Sequence, residues 1–445
     1  MPSARERLLD MAAPDAELPS PRALRELQLR AAQELLEERI AQVPLLARRV
    51  ASLNLTRLER FEDLVPLLFA HTTYKSYPQA LIDQGKWDRL LAWLRTVAAF
   101  DPCGIDMHGV ENIDQWIDRL WAGGFEILAT SGSSGRCSLI PRGPADRAVQ
   151  RRQLQHAMAW GGLMPGERRA FFALAPRRGP NMFIVVLEML AEMYARPDAI
   201  HYLSDVPLKV SEVSRAAQLR KRMADGAAQP GEIEAFEREL AERGRAGAAA
   251  LERLADVLVA HRREPVYVSG QWAQHLSIIA RARELGVGDG EFHPRSYVAA
   301  GGGVKAIKLP PDYKEQVRRF YGAVLSGRQY GMTEISQLSP ACAHGRYHVP
   351  PAVVVLLVDG PGEALLNREE GVATGRFAFL DLAVQGRWGG LIAGDRVEVD
   401  FSRCACGRIG PTIADTIERW APPGEDDYIG CAGTLESYVR QSIGS

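Results

Sequence analysis

Hydroxyl and glycine residues are concentrated in one short stretch of the sequence, Ala129-Thr-Ser-Gly-Ser-Ser-Gly-Arg-Cys-Ser138. In a loop of this composition several backbone N–H groups can converge, and such a concave arrangement binds the oxygens of a phosphate. The P-loop of nucleotide hydrolases ends in Gly-Lys-Ser/Thr before a helix, and no lysine follows here. The alternative is a plain surface turn, which is the common role of serine and glycine clusters. The predicted phosphate loop comprises Ser131, Gly132, Ser133, Ser134 and Gly135.

Two later turns carry residues that suit a flat ligand and a cation. A strand-like run leads into three consecutive glycines, Gly301, Gly302 and Gly303. Glycine lets a backbone approach a ligand closely, so this turn is a candidate surface for a ring. In the run Tyr330-Gly-Met-Thr-Glu334, Tyr330 offers a stacking surface, while Thr333 and Glu334 offer oxygen ligands for a hard cation. The alternative for Glu334 is a helix cap.

Cysteine and histidine form two closely spaced pairs, Cys342-Ala-His344 and Cys404-Ala-Cys406. Three thiolates and an imidazole would complete a tetrahedral Zn²⁺ site of the structural type. This interpretation requires the two pairs to converge, and the alternative is four buried residues that never meet. His348 is a spare ligand.

Alternating helical and strand-like segments must position these residues. Apolar periodicity predicts helices over residues 22–52 and 79–98, and strands on both sides of the phosphate loop, over 125–129 and 138–142. Residues 207–264 are rich in Ala, Arg and Glu, which is typical of solvated helices with intrahelical ion pairs. A strand at 265–269 follows. The order of elements predicts an α/β fold with mixed sheets flanked by helices.

Composition excludes several classes of protein. The 445 residues are 46% apolar and carry a net charge of −1, which gives no electrostatic case for binding nucleic acid or an anionic membrane. No apolar run has the length of a bilayer span, and the N-terminus lacks the apolar core of a signal peptide. Six cysteines in a chain of this length are not a disulfide framework. The expected location is therefore the cytoplasm.

Three motifs in order make the chain resemble the adenylate-forming superfamily, which contains acyl-CoA synthetases, luciferases and peptide-synthetase adenylation domains. They are Thr130-Ser-Gly-Ser-Ser-Gly135, Tyr330-Gly-Met-Thr-Glu334 and Gly394-Asp395. The run Cys406-Gly-Arg-Ile-Gly-Pro411 resembles phenylacetate-CoA ligases. Three further segments are similar to the acyl-protein synthetases of bacterial bioluminescence: Gly301-Gly-Gly-Val-Lys305, Tyr74-Lys-Ser-Tyr-Pro78 and Asp426-Asp-Tyr-Ile-Gly-Cys-Ala-Gly433.

The resemblance implies a role for each of these residues. The serine and glycine residues of the phosphate loop would hold the β- and γ-phosphates of ATP, and the three-glycine turn would line the adenine. Tyr330 would stack on that ring, Asp395 would accept hydrogen bonds from the ribose, and Arg408 would approach the ribose or the α-phosphate. Glu334 and Thr333 would hold Mg²⁺ and phosphate. The alternatives are structural: Asp395 would hold a turn and Arg408 would pair with a carboxylate.

The sequence departs from the family in its C-terminal part. The resemblance predicts an adenylation domain over residues 1–395 and a truncated remnant of the mobile C-terminal domain over 396–445. The family's catalytic lysine lies in that domain, and this sequence has no lysine after Lys314. Cys431 lies in the tail and is either an acyl acceptor, as the acyl-protein synthetases imply, or a buried small residue, which is the commoner role of a free cysteine.

The implied activity is ATP-dependent conversion of an aryl or fatty acid into an acyl-adenylate, with release of pyrophosphate, in a secondary-metabolic pathway. The implied acceptor of the acyl group is CoA, a carrier protein or a downstream enzyme. Two alternatives remain open at this point: activation of another anion such as nitrite, and a nucleotide-binding partner protein that has lost catalysis.

Overall fold

The computed structural model describes residues 2–130, 136–302 and 309–420. Twelve α-helices lie in these ranges: α1 Ala4–Asp10, α2 Pro21–Ile40, α3 Pro44–Ser52, α4 Gln79–Asp83, α5 Trp87–Val97, α6 Ile113–Ala122, α7 Asp146–Trp160, α8 Met182–Tyr194, α9 Val210–Ala224, α10 Pro230–Ala260, α11 Trp272–Glu284 and α12 Tyr313–Tyr321. No helix of the described ranges combines the length and the apolar character that a membrane crossing needs.

The strands of the same ranges are mostly short: β1 Phe69–Ala70, β2 Glu126–Ala129, β3 Leu139–Arg142, β4 Arg169–Pro176, β5 Ala195–Ser204, β6 Val266–Gln271, β7 Tyr297–Gly301, β8 Leu325–Ser326, β9 Gln329–Tyr330, β10 Ser339–Pro340, β11 Tyr347–His348, β12 Val353–Val358, β13 Val372–Asp381, β14 Gly390–Asp400, β15 Thr412–Ile413 and β16 Glu418–Arg419.

The predicted helices and strands are confirmed with two breaks. The helix expected over 22–52 is interrupted between α2 and α3, where Pro44 begins the second helix, since proline is favoured in the first turn. The helix expected over 79–98 is divided at Gly85, whose φ is +63°. A left-handed residue ends a helix, and glycine adopts this conformation without a steric cost. The strand over 265–269 forms as β6 and extends to Gln271.

The chain divides into two compact units. Unit 1 comprises residues 1–157, 210–217 and 330–445, and unit 2 comprises residues 158–209 and 218–329. Asp395, the last residue of the predicted adenylation domain, lies inside β14, and the described residues that follow it belong to unit 1. The predicted boundary between 395 and 396 is thus not a boundary between these compact units.

Unit 1 is built on a mixed sheet in the order β11-β15-β14-β13-β12. β14 is its centre, because β1 and β16 pair with this strand as well. β1 runs parallel to β14, whereas β13, β15 and β16 run antiparallel to it. β12 and β13 are buried along most of their length. A separate antiparallel hairpin is formed by β2 and β3.

Unit 2 contains a parallel sheet in the order β5-β4-β6-β7-β8. Its strands are joined by helices, as parallel connections require. One face packs on α10, α11 and α12 through a continuous apolar cluster that includes Phe172, Val268 and Phe320. All five strands end at the same edge of the sheet, where ligands commonly bind in open parallel sheets.

Candidate functional site

The phosphate-loop candidate is the stretch of sequence that connects β2 to β3. The strands pair from Glu126 opposite Arg142 to Ala129 opposite Leu139. The N–H of Thr130 then donates to the carbonyl of Ser138 at 3.2 Å. This confirms the predicted hairpin. Ser131, Gly132, Ser133, Ser134 and Gly135 lie outside the described residues, so their phosphate-binding role stays a prediction.

One buried carboxylate anchors the far end of this hairpin. The Asp146 side chain accepts hydrogen bonds from the backbone N–H groups of Gly143 at 2.6 Å and of Gly386 and Gln385 at 2.7 Å each. Asp146 is only 2% exposed. Hydrogen bonds to an ionised acceptor are roughly twice as strong as neutral ones, so this carboxylate ties the end of β3 firmly to the segment before β14.

At the start of the glycine turn of unit 2, the structure leaves room for a ligand to approach the backbone closely. Gly301 ends β7, and a Cβ atom placed on it would meet nothing within 4 Å. Gly302 has a φ of +83°, which side-chain-bearing residues rarely adopt. Gly303 lies outside the described residues. The open space beside Gly301 is compatible with a flat ring, and the assignment to adenine stays a prediction.

Tyr330, Asp395 and Arg419 form one bonded group in unit 1. The Tyr330 hydroxyl donates to Oδ2 of Asp395 at 3.0 Å, and Nη1 of Arg419 lies 3.0 Å from Oδ1 of the same carboxylate. Burial, followed by the charge of Asp395, raises the pKa of Tyr330 well above its usual value, so the hydroxyl stays a donor. β16 pairs with β14 so that Asp395 faces Arg419 across the ladder. The sequence motifs did not indicate Arg419.

Glu334 lies beside this group, on the turn that follows β9. Burial raises the pKa of Glu334, Asp395 adds to the rise, and the positive charges of Arg387 and Arg419 oppose it. A carboxylate that is costly to ionise while buried gains most from a bound cation, and its oxygens are the ligands that Mg²⁺ prefers. The residues present therefore fit a Mg²⁺ site. Thr333 is half-buried on the same turn.

The residues after Glu334 are clamped by a second buried carboxylate. Asp381 is fully buried and accepts from the N–H of Ser336 at 2.7 Å and the Oγ of Ser336 at 2.6 Å. Its other oxygen accepts from the Nε2 of Gln337 at 2.9 Å. These bonds hold the end of the Tyr330–Glu334 turn against the end of β13.

Arg408 is engaged elsewhere in unit 1. Its guanidinium donates to the main-chain carbonyls of Ala13, at 3.1 Å, and of Pro14. Burial lowers the pKa of Arg408, which the charges of Cys406 and Asp15 partly offset. In the structure Arg408 thus holds the segment at residues 13–14 through hydrogen bonds. A contact with ribose or phosphate remains a sequence-based prediction.

The two cysteine-bearing turns do converge. Cys342, His348, Cys404 and Cys406 each direct one ligand atom into a group in which all four atoms lie within 4.8 Å of one another. The sulfur atoms of Cys342 and Cys404 are 3.9 Å apart, and Sγ of Cys406 lies 3.3 Å from Nε2 of His348. Tetrahedral Zn–S bonds of about 2.3 Å place two sulfurs roughly 3.8 Å apart, so the donor set fits zinc.

Both turns have the same backbone construction. The N–H of Cys342 donates to the carbonyl of Arg346, and the N–H of Cys404 donates to the carbonyl of Arg408, each at 3.0 Å. A glycine with positive φ follows in each turn, Gly345 at +75° and Gly407 at +90°. The repeated Cys-Ala-X-Gly-Arg sequence therefore encodes the same tight turn twice, and each turn begins with a cysteine of the group.

The histidine of the group is His348 and not His344. His344 is exposed at the tip of its turn, whereas His348 is buried on β11 and is held by pairing with β15 opposite Thr412. Burial lowers the pKa of His348 to about 4, with the charges of Arg408 and Arg346 contributing. The neutral imidazole is the form that binds metals. His348, the spare ligand in the sequence analysis, thus replaces the predicted His344 in this group.

Other site residues could not be found from the sequence. Arg387, Asp381 and Asp146 are isolated charged residues without a motif, and only their burial reveals them. Arg419 carries no signal beyond its position in a short strand. Cys431 and the rest of residues 421–445 lie outside the described residues.

Unit 2 contains a cavity of about 690 Å³ near the carboxyl ends of β6, β7 and β8. Trp272, Val298, Val317, Tyr321 and Val324 form its apolar part. Its polar lining has four cationic side chains and one carboxylate, namely Lys314, Arg318, Arg319, Arg328 and Glu315. Apolar cavities with a few charged groups are the usual form of small-molecule sites.

Comparison with solved structures shows what fold this is. The chain is similar to 2-hydroxyisobutyryl-CoA ligase, solved in complex with 2-HIB-AMP and CoA in its thioesterification state, with a TM-score of 0.55 and 14% sequence identity. The similarity covers 91% of this chain and 69% of that one. The chain therefore has the mixed α/β fold of an adenylating ligase domain, which confirms the predicted fold class.

Two other solved structures resemble parts of the chain. MatB from Rhodopseudomonas palustris, solved with ATP bound, has a TM-score of 0.38 and 15% identity over 65% of this chain and 46% of that chain. McyG A-PCP, solved with phenylalanyl-adenylate, has a TM-score of 0.35 and 13% identity over 65% of this chain and 40% of that chain. No protein-family model matches the sequence, and no curated protein matches it.

Proposed function

We propose that the protein is an ATP-dependent ligase that activates a carboxylic acid as an acyl-adenylate and releases pyrophosphate. The observation that carries this proposal is the group of Tyr330, Asp395, Arg419 and Glu334 in a chain with the fold of an acyl-CoA ligase. An aromatic ring, a carboxylate that can accept from ribose hydroxyls, a cation and a second, half-buried carboxylate are together what a nucleotide and its metal require.

The group formed by these four residues would both recognise the nucleotide and hold the metal that neutralises its charge. The oxygens of Asp395 now bind Tyr330 and Arg419, and ribose hydroxyls would donate to the same oxygens through their remaining lone pairs. The ring of Tyr330 would be the stacking surface for adenine. Glu334 with Thr333 would hold Mg²⁺, which supplies charge neutralisation to the phosphates when it is bound.

The reaction needs positioning more than proton transfer. One oxygen of the acid carboxylate attacks the α-phosphorus, the new O–P bond forms, and the bond to the β-phosphate oxygen breaks in line with it. Pyrophosphate leaves with its electron pair, and no proton moves. The protein has to hold both reactants and offset negative charge. Arg419, beside Asp395, is the described cation best placed to do so near the nucleotide.

We further propose that the acid binds in the cavity of unit 2. Support comes from its place at the carboxyl ends of parallel strands and from its apolar wall, which includes Trp272 and Val298. About 690 Å³ accommodates an acid of aromatic or medium aliphatic size, and the cationic lining favours an anion. A thiol of CoA, of a carrier protein or of a downstream enzyme would then accept the acyl group from its adenylate.

Structural zinc is the proposed occupant of the cysteine group. Cys342, His348, Cys404 and Cys406 would close all four positions of a tetrahedral ion, which leaves no site for substrate. Such an ion would join the turn after β10 to the turn after β14. Its role is therefore to fix the fold of unit 1.

The test is ATP–pyrophosphate exchange with purified protein against graded aryl and fatty acids, with nitrite as a separate arm. We expect exchange with acids that fill the cavity and little with acetate. Exchange with nitrite and with none of the carboxylic acids would show that the activated substrate is another anion. Tight binding of ATP without exchange in any arm would contradict the proposal and support a catalytically silent nucleotide-binding protein.

A further inference from the structure

Arg387 is a charged residue buried in the interior of unit 1. It is 2% exposed and lies in the segment that joins β13 to β14. Its Nη2 donates to the main-chain carbonyl of Glu334 at 2.7 Å, and its Nη1 donates to the carbonyl of Pro141 at 3.3 Å. The two carbonyls belong to segments almost 200 positions apart in the sequence, and one guanidinium bonds both.

The two bonded segments are those that carry the predicted metal and phosphate ligands. Pro141 lies in β3, the strand that leaves the predicted phosphate loop. Glu334 is the predicted Mg²⁺ ligand. A guanidinium is a rigid planar fork, so bonds from its two arms fix the separation of the groups they reach. Arg387 therefore joins the base of the hairpin to the backbone of the metal ligand.

We propose that Arg387 is a positioning residue that presents the Glu334 carboxylate to the cation of a bound metal–nucleotide complex. This inference rests on the proposed function, since it concerns the same site. Arg387 acts through the main-chain carbonyl of Glu334 and does not touch the substrate.

The segment around Arg387 is itself held in place from several sides. Asp146 accepts from the N–H groups of Gln385 and Gly386, and the Tyr74 hydroxyl donates to the carbonyl of Trp388 at 3.3 Å. Arg39 donates to the carbonyl of Arg387 at 3.2 Å. Because the backbone on both sides is fixed, the guanidinium has a defined origin from which to reach Glu334 and Pro141.

Arg39 supplies a matched control. It is 1% exposed and donates to carbonyls of the same segment, those of Val384 and Arg387. Its bonds to this segment do not include Glu334 or β3. Replacing either arginine removes a buried cation that bonds backbone carbonyls, and both changes should destabilise unit 1. Arg387 alone of the two also bonds Glu334, so its replacement should alter the metal dependence of nucleotide binding much more than replacement of Arg39.

The experiment measures binding of α,β-methylene ATP by calorimetry over a range of Mg²⁺ concentrations, for wild type, Arg387→Lys, Arg387→Met and Arg39→Met. Loss of a residue that orients a metal ligand typically weakens metal affinity about 10- to 100-fold. We therefore expect Arg387→Met to raise the Mg²⁺ midpoint at least about tenfold, with nucleotide binding in EDTA unchanged. Arg387→Lys should fall between it and wild type, and Arg39→Met should shift the midpoint far less than Arg387→Met does.

An unchanged Mg²⁺ midpoint in a folded Arg387 variant would overturn the inference, as would an equal shift in Arg39→Met. Urea unfolding of each variant shows whether it is folded, and Arg387→Lys decides the matter if Arg387→Met is not. The wild-type arm separates this inference from the proposed function. Wild-type protein that binds the Mg²⁺ complex but exchanges no pyrophosphate contradicts the proposed function and leaves the role of Arg387 measurable.

Discussion

Unit 1 buries more charged side chains than unit 2 does. Around its mixed sheet unit 1 buries Arg39, Asp146, Asp381 and Arg387, each bonded to backbone groups from distant segments. On one face of its parallel sheet unit 2 buries a ladder of rings, with Phe171 stacked on Tyr267 at 4.6 Å, and Tyr267 stacked in turn on Tyr297 at 5.3 Å.

The buried charges of unit 1 fit the loops and oxygen ligands that this unit has to fix in position. Oxygen ligands and loops must be fixed in position, and buried charges achieve this because each one bonds several backbone groups at once. The cost is fragility, since removing one partner leaves the others buried and unsatisfied. The stacked rings of unit 2 instead join neighbouring strands through apolar contact. Four predictions sharpen this comparison, the first three in order of expected effect.

The largest effect is expected at Glu334. Glu334→Gln should reduce Mg²⁺-dependent pyrophosphate exchange about 1000-fold, roughly 4 kcal/mol in the barrier, because a neutral amide is a poor ligand for a hard cation. The fold should survive, since the bond to Arg387 uses the main-chain carbonyl, which glutamine keeps. Glu369→Gln, at an exposed position, is the control. Undiminished exchange would remove Glu334 from the site.

The next effect tests the cysteine group. His348→Ala should abolish stoichiometric zinc and lower the free energy of unfolding by several kcal/mol, because structural zinc contributes directly to folding. His344→Ala should keep both the metal and the stability, since His344 is exposed. Elemental analysis and urea unfolding measure the two quantities. Retained zinc in His348→Ala with lost zinc in His344→Ala would restore the ligand set expected from the sequence.

A smaller effect is expected at Arg419. Arg419→Met should weaken ATP binding about tenfold, since one hydrogen bond to a charged group is typically worth roughly 1.5–3 kcal/mol and this side chain is partly solvated. The neighbouring Arg396, which pairs with Glu418, provides the control, and Arg396→Met should bind ATP normally. A larger loss in Arg408→Met than in Arg419→Met would return the nucleotide role to Arg408.

The last prediction concerns the stability of the core of unit 2 as the pH falls. His275 is fully buried, its Nδ1 lies 3.0 Å from the Tyr321 hydroxyl, and burial lowers its pKa to about 4. The unfolded chain binds a proton near pH 6.5, so this residue's contribution to stability is complete above that pH and is lost as the pH falls towards 4.

Between pH 7 and pH 5 the contribution should fall by about 2 kcal/mol, at about 1.4 kcal/mol per pH unit. His275→Leu should remove this part of the pH dependence while costing some stability at pH 7, where the bond to Tyr321 is lost. Urea unfolding at the two pH values measures both. An equal pH dependence in the variant would show that the imidazole is protonated in the folded protein.

The sequence alone determined the local parts of the molecule. The pairing of β2 with β3, the end of β7 at Gly301 and the two cysteine turns all form where composition and spacing indicate them. Each depends on residues that are near one another in the sequence, and a glycine at positive φ, such as Gly407, favours its tight turn. The order of helices and strands, and hence the α/β fold, follows from apolar periodicity in the same way.

Tertiary structure decided which distant residues meet. Pairing of β11 with β15 brings His348 to the cysteines in place of His344, and pairing of β14 with β16 sets Arg419 against Asp395. The buried position of Arg387 brings its guanidinium to the carbonyls of Pro141 and Glu334. Sequence spacing specifies only near neighbours, whereas strand register and burial join residues that lie tens to hundreds of positions apart. For that reason the candidate site has ligands that the motifs indicated and positioning arginines that they did not.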